Sequence, residues 1–273
     1  MNCAICTPAS ESHPPSADNT HKIPGHWLLA KLGKSVLRPG GLELTRTMLD
    51  QLNIQSRDSV IEFAPGLGVT ARMTLSRQPA TYTAIERDET AARKVQSLLR
   101  EPQQRCLAGT AEQTGLPDQS GTVVYGEAML SMQGPEQKRR IVAEAFRLLK
   151  PGGRYGVHEL SLTPDELPDS VKNEINHALS HSIHVGACPL TAREWRGLLE
   201  SVGFKIRAEA TAPMHLLEPR RLIHDEGFWR ALRFVFNVLR MPEARQRVFD
   251  MRRLFRKYHD HLGAITFIAV KPD

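Results

Sequence analysis

The chain has 273 residues, 41% of them hydrophobic, 24% charged and 6% aromatic; these are the proportions of an ordinary globular protein and exclude wholesale disorder. Its longest apolar runs, such as residues 264–270, are strand-sized and well short of the roughly 18 residues of a membrane span, and four cysteines are too few for a disulfide framework. The net charge of +6 is concentrated in Glu218–Asp260, where eleven Lys/Arg face six Asp/Glu. That balance suits an anionic substrate, a phosphate backbone or an acidic membrane surface, and equally a solvated helix face.

Residues 1–22 are polar, rich in Ser and Pro, and without periodicity, so they read as a disordered arm. The arm carries Cys3 and Cys6, a single CxxC with no second pair at zinc-ribbon spacing. It lacks a basic start followed by an apolar core, so no secretory signal is visible and a cytoplasmic protein is expected. Residues 23–53 read as an N-terminal helical cap, broken by the turn Arg38-Pro39-Gly40-Gly41 before a helix over Leu42–Leu52.

A regular alternation follows. Strands are expected at Ser59–Phe63, Ala80–Glu86, Arg105–Ala108, Gly121–Glu127 and Gly153–Leu160. Helices are expected near Val69–Arg77, Glu89–Arg100, Gly134–Leu149 and Thr191–Val202. Thr191 with Glu194 three residues on forms a capping box. Two further strands, near Lys205–Ala210 and Ala264–Lys271, are separated by a long helical stretch. Strands alternating with helices of this length imply βαβ units, an α/β fold with a mostly parallel sheet.

The strongest local signal is Val60-Ile61-Glu62-Phe63-Ala64-Pro65-Gly66-Leu67-Gly68-Val69-Thr70. A buried strand runs into a glycine turn that opens a helix, an arrangement that holds nucleotide-like ligands against backbone amides. Glu62 at the strand end would repel a pyrophosphate but suits a ligand bearing an ammonium or sulfonium. Glu86 ends the next strand 24 residues later, close to the roughly 20 expected of a ribose-binding acid one strand over.

With the Thr110-Ala111 segment and the turn Leu149-Lys150-Pro151-Gly152-Gly153, in that order, the sequence resembles the class I S-adenosylmethionine-dependent methyltransferases. The resemblance is to the small-molecule (type 11) group that includes quinone and sterol enzymes, and it covers roughly residues 42–271. It implies a Rossmann-like, seven-stranded, mostly parallel sheet with helices on both faces, the last strand antiparallel, and a helical insertion before that strand. It also implies a cofactor-binding domain over residues 54–216 plus 262–273. S-Adenosylmethionine would be the cofactor and S-adenosylhomocysteine the product. Glu62, Ala64, Gly66, Gly68, Glu86, Arg87, Thr110 and Ala111 would contact the cofactor, with Glu86 on the ribose hydroxyls, Arg87 beside the adenine and Ala111 near its edge. Glu127 would lie close to the sulfonium. The sequence departs from the family at Ala64, where the first loop glycine is expected. Arg38 is a further cofactor candidate, its guanidinium meeting the methionine carboxylate bidentately.

Methyl transfer from a sulfonium needs no metal; the protein aligns the nucleophile, excludes water and in some cases removes a proton. The candidate catalytic residues at strand ends are therefore Glu127, His158 and Glu159. His177, His181 and His184, if helical, share one face; they are expected to line the substrate pocket or to sit on a surface helix, a metal site being the weakest of the readings and none being assigned.

Residues 217–261 form a basic insertion with two helices expected. Over Gly227–Arg240 the polar residues Arg230, Arg233, Asn237 and Arg240 make one stripe on a helix otherwise apolar, with Phe228, Trp229, Leu232, Val235, Phe236 and Leu239 expected to be buried on the core or on a second subunit. The insertion is read first as a substrate lid, then as a homodimer element, then as a membrane-surface contact. The expected function is methyl transfer to a small-molecule acceptor. Nucleic acid is disfavoured because the aromatics fall opposite the arginines. An RNA methyltransferase and a non-catalytic cofactor-binding regulator remain as alternatives.

Overall fold

The computed structural model describes residues 23–273; the Cys3/Cys6 pair and the expected N-terminal arm lie outside them. Among the described residues eight strands form one sheet. β1 (Ser59–Phe63), β2 (Thr81–Glu86), β3 (Gln104–Ala108), β4 (Gly121–Glu127) and β5 (Leu149–Leu162) are parallel, and β8 (Leu262–Val270) pairs antiparallel with β5 and with β7 (Lys205–Pro213). The order is β3-β2-β1-β4-β5-β8-β7. This is the seven-stranded, mostly parallel arrangement expected from the sequence; the eighth strand is the two-residue β6 (Leu190–Thr191) at the end of β5. The strand order reverses between β1 and β4, so the crevice for a ligand opens beyond the carboxyl ends of those strands.

Period-two alternation sends Val60, Tyr82, Val123 and Tyr125 to one face of the sheet, and Ile61, Phe63, Val124 and Tyr155 to the other. The first face is covered by α2 (Gly41–Leu52) through Met48, Leu49 and Leu52, with α3 (Val69–Leu75) and α4 (Glu89–Gln96). The second is covered by α5 (Pro135–Leu148) and α7 (Ala192–Ser201), including the fully buried Trp195. The capping box at the start of α7 is present: Glu194 N donates to Thr191 Oγ1 and Thr191 N donates to Glu194 Oε2.

A third apolar cluster lies over the strand tips. It joins α1 (Gly25–Lys31), α6 (Asp169–Ile183) and three helices between β7 and β8, namely α8 (Pro219–Glu226), α9 (Phe228–Arg240) and α10 (Pro242–Lys257). Two corrections to the sequence reading follow. The insertion has three helices rather than two, because Gly227 with φ +77° breaks the run between α8 and α9. Residues 23–53 are not one cap, since α2 packs under the sheet and only α1 belongs to the upper layer.

Candidate active site

Four carboxylates stand side by side along the carboxyl edge of the sheet: Glu86 on β2, Glu62 on β1, Glu127 on β4 and Glu159 on β5. All four line one cavity of about 700 Å³, together with Arg38, Ala64, Gly66, Arg87, Thr110 and Ala111. Burial of four acids at one edge requires each to be matched by donors, and each is matched differently.

Glu86 accepts from the backbone of Gly66 (2.9 Å) and Asp88 (3.0 Å); burial nonetheless holds its carboxyl above the usual range. Glu62 is cross-strand neighbour to Tyr125, and its Oε2 accepts from the hydroxyls of Tyr125 (2.6 Å) and Tyr82 (2.5 Å). Burial pushes this carboxyl up to about 7 in spite of the two phenols. Tyr125 in turn meets Thr74 Oγ1 at 2.7 Å, tying the glycine loop's helix to the strand beside it.

The loop between β1 and α3 has the backbone that the sequence implies. Ala64, Gly66 and Gly68 have φ of +51°, +54° and +72°, a region where a Cβ is strained. Ala64 therefore occupies a glycine-type position with its methyl present. Gly68 has a packing reason as well, since a Cβ there would meet Leu98 Cδ1 at 2.5 Å.

Glu127 sits at the centre of a polar cluster. Arg38 Nη1 pairs with its Oε2, as does the Thr70 hydroxyl; Thr45 Oγ1 donates to Oε1 at 2.6 Å, and His158 Nδ1 lies 2.7 Å from the same oxygen. Burial by itself would raise this carboxyl, but Arg38 and then His158 and Thr45 hold it far below the usual range. It is a charge locked in a network, not a free base, which corrects the catalytic role expected for it.

The other two expected bases are corrected on the same ground. His158 is fully buried, and its Nε2 lies 2.7 Å from the Pro39 carbonyl. Both ring nitrogens are thus taken up by protein oxygens. The ring braces the Arg38 turn against β5 and does not reach the cavity. Glu159 takes four donors at the 3₁₀ turn Leu130–Met132: the amides of Met129 (2.9 Å), Leu130 (2.7 Å) and Ser131 (3.0 Å), and the Ser131 hydroxyl (2.7 Å). It is an N-terminal anchor for that turn, although burial raises its carboxyl.

Arg38 lines the cavity, and its Nη1 makes its contacts among the described residues, to Glu127, Thr70 and Thr45. Its turn is clamped from the insertion. Glu226 at the end of α8 accepts from Ser35 N (2.7 Å), Ser35 Oγ (2.6 Å) and Val36 N (2.8 Å), and Arg221 donates to the Gly40 carbonyl at 2.7 Å. A Cβ on Gly41 would meet Asp225 Oδ2 at 2.5 Å, so the glycine pair lets α8 lie against the turn.

His177, His181 and His184 are corrected too. They are exposed on the outer face of α6 and at its C-cap, while Leu179 and Ile183 of the same helix line the cavity. The apolar residues of α6 turn toward the upper cluster and leave the imidazoles outside. His26 and Trp27, absent from the sequence reading, line the cavity from α1, their rings 5.2 Å apart. Burial, and next the charge of Arg87, pushes His26 down to about 4. Only the packing of α1 over the strand tips singles these two out.

The comparisons with known proteins agree with this geometry. Residues 61–157 match the family described as a methyltransferase domain. An uncharacterised protein of Haemophilus influenzae is 30% identical over 250 residues, covering 90% of this chain and 96% of that protein. Among solved structures, the MccD protein superposes with a TM-score of 0.68 at 18% identity, over 86% of this chain and 99% of that one. The [4+2]-cyclase SpnF does so with 0.67 at 18%, over 90% and 92%. Phosphoethanolamine N-methyltransferase 2 of Haemonchus contortus, solved with phosphomonomethylethanolamine and S-adenosylhomocysteine, gives 0.68 at 14%, over 91% and 58%. The chain belongs to the class I S-adenosylmethionine-dependent methyltransferases.

The residues present fit that cofactor. A Cβ on Gly66 would find no atom nearer than 4.0 Å, so the glycine leaves room on the cavity side rather than inside the protein. Glu86 is buried yet lines the cavity with two backbone donors, which leaves lone pairs for ligand hydroxyls.

Proposed function

We propose that this enzyme methylates a small, largely apolar acceptor enclosed between the strand tips and the helical layer. One observation carries the reading. Beyond the carboxylates the cavity is walled by Leu29, Leu179, Ile183, Leu216, Met251 and Phe255, from α1, α6, α10 and the segment after β7. An apolar wall of this kind takes a small molecule by burying its surface; a polynucleotide would need a basic groove with stacking aromatics.

When bound, the cofactor supplies an electrophilic methyl group on a sulfonium. Glu86 would take the ribose hydroxyls, the Gly66 backbone would allow close approach, and Arg87, Thr110 and Ala111 would border the adenine. Glu62 and the Arg38–Glu127 pair would serve the charged methionine end, with Arg38 Nε and Nη2 as the groups for a carboxylate. His158 and Glu159 hold the Arg38 turn and the Leu130–Met132 turn in place. None of the three expected bases is available to take a proton, so rate comes from alignment and exclusion of water by the apolar wall. The acceptor then arrives with its lone pair already free of a proton. In this reading α10, with Met251 and Phe255, is the lid part of the insertion.

The test is to incubate the enzyme with methyl-labelled S-adenosylmethionine and fractionated cell extract. Label is expected in the organic-soluble, low-mass fraction. Label recovered in RNA or protein would overturn the small-molecule assignment and leave the cofactor assignment standing.

A further inference from the structure

Helix α9 presents three stripes. Taken at about 100° per residue, Phe234, Val238 and Ala231 form one edge and are buried in the upper cluster. Arg240, Arg233, Asn237 and Arg230 form a second. The third spans about 120° and is wholly apolar: Val235, Phe228, Leu239, Leu232, Phe236 and Trp229. The sequence leads to the expectation that this stripe is buried on the core or on a second subunit; it is not buried on the core, since all six residues are exposed in the single chain, Trp229 by 77% and Phe228 by 59%. With Ala231 and the narrower stripe facing inward, Asn237 Nδ2 donates to the Leu32 carbonyl at 2.9 Å and ties α9 to the end of α1.

An exposed apolar face of this size marks a contact. A second copy is a poor occupant. The face offers six side chains where a stable interface uses about 20–30 residues a side, and two such helices would bring six arginines together with no acid on either. Arg230 pairs with Glu226 at 3.5 Å, but Arg233 and Arg240 have no carboxylate partner among the described residues. On α10 the exposed Phe249 has Arg245 and Arg253 one turn to either side, Arg253 being paired with Asp250 at 3.6 Å. Trp and Phe at the boundary between an apolar face and arginines are what an interfacial helix uses to lie in a bilayer surface. No helix among the described residues is long and apolar enough to cross a membrane, so the contact is with a surface.

We propose that α9 docks this enzyme on an anionic lipid bilayer, its Phe228–Leu239 face inserted at the level of the headgroups and Arg233 and Arg240 pairing with lipid phosphates. The inner face of α9 belongs to the same cluster as Leu29, Met251 and Phe255, so docking sets the acceptor cavity beside the membrane.

The experiment is co-sedimentation of the full chain with vesicles of phosphatidylcholine alone and of phosphatidylcholine with one-third phosphatidylglycerol. Binding is expected to the anionic vesicles, roughly tenfold or more weaker to the neutral ones, and weakened by added salt. The double substitutions Trp229→Ser/Phe236→Ser and Arg233→Glu/Arg240→Glu are each expected to release the protein, with S-adenosylmethionine affinity unchanged. A blue shift of tryptophan emission on adding anionic vesicles should disappear in Trp229→Phe, a variant that keeps the apolar face. Absence of binding to anionic vesicles, equal binding to neutral ones, or a blue shift that survives Trp229→Phe would overturn the proposal. So would a dimer in sedimentation that Trp229→Ser/Phe236→Ser dissolves.

Discussion

The two walls of the cavity are built on opposite principles. The sheet edge is polar and over-determined: four buried acids, each held by its own donors, on strands whose register leaves no freedom. Apart from His26 and Trp27 of α1, the helical wall is apolar and non-directional, with Leu, Ile, Met and Phe side chains from α1, α6 and α10. The difference separates two tasks. A cofactor with fixed charges and hydroxyls needs fixed partners, because an unmatched buried polar group is expensive. An apolar acceptor needs only volume and dryness, and a layer assembled from insertions supplies both without disturbing the sheet.

This contrast can be broken at defined points. The largest effect is expected from Arg38→Ala, which leaves Glu127 buried without its cation. Breaking one side of a buried pair costs about 3–5 kcal/mol, to be read in urea denaturation, and cofactor affinity should fall with it. Next is Glu86→Ala. Loss of charge-assisted hydrogen bonds to the ribose is expected to weaken S-adenosylmethionine and S-adenosylhomocysteine by about ten- to a hundredfold in calorimetry; unchanged affinity would remove Glu86 from the site. Phe255→Ala probes the other wall. It should lower incorporation of label into the low-mass fraction several-fold while cofactor affinity stays within about twofold.

The pH dependence probes the sheet edge through Glu62. Because burial holds the Glu62 carboxyl near 7, the folded state keeps a proton that the unfolded chain has lost. Stability from this group therefore falls as pH rises from the unfolded value of about 4.5 to about 7. Cofactor affinity should run the other way, rising over the upper part of that window as the carboxylate forms to face a cation, and Glu62→Gln should flatten the profile. His26, pushed down to about 4 by burial and Arg87, contributes in the opposite sense. Its stability is fully present above the unfolded value of 6.5 and is lost as pH falls towards 4. The smallest effect is Ala64→Gly. Relief of a left-handed alanine, about 1–2 kcal/mol, is partly offset by the greater freedom of glycine in the unfolded chain. A net gain of no more than about 1 kcal/mol is expected in thermal unfolding.

The parts of the site that the sequence makes legible are local. Glu62, Ala64 and Gly66 lie on one strand–turn–helix, whose Gly68 packs on Leu98 outside the cavity lining, and Glu86 ends the adjacent strand. Spacing along the chain is enough to find them. His158 defeats that kind of reading, because its partners are Glu127, 31 residues away, and the Pro39 carbonyl, 119 residues away. A strand-end histidine looks the same in sequence whether it faces a substrate or a buried carboxylate. Glu159 likewise looks like a base until the turn Leu130–Met132 is found seated on it.

The sequence by itself determined the alternation of strands and helices, the glycine loop and the acids at the strand ends, because these follow from periodicity, turn chemistry and short-range spacing. Tertiary structure decided which polar groups are already paired, that α1 brings His26 and Trp27 to the cavity, and that the histidines of α6 turn away from it. It also decided which of the apolar stripes of α9 faces inward. An amphipathic pattern gives the angles between stripes but not the rotation of the helix, and that rotation is decided against neighbours distant in the chain, among them the Leu32 carbonyl that accepts from Asn237.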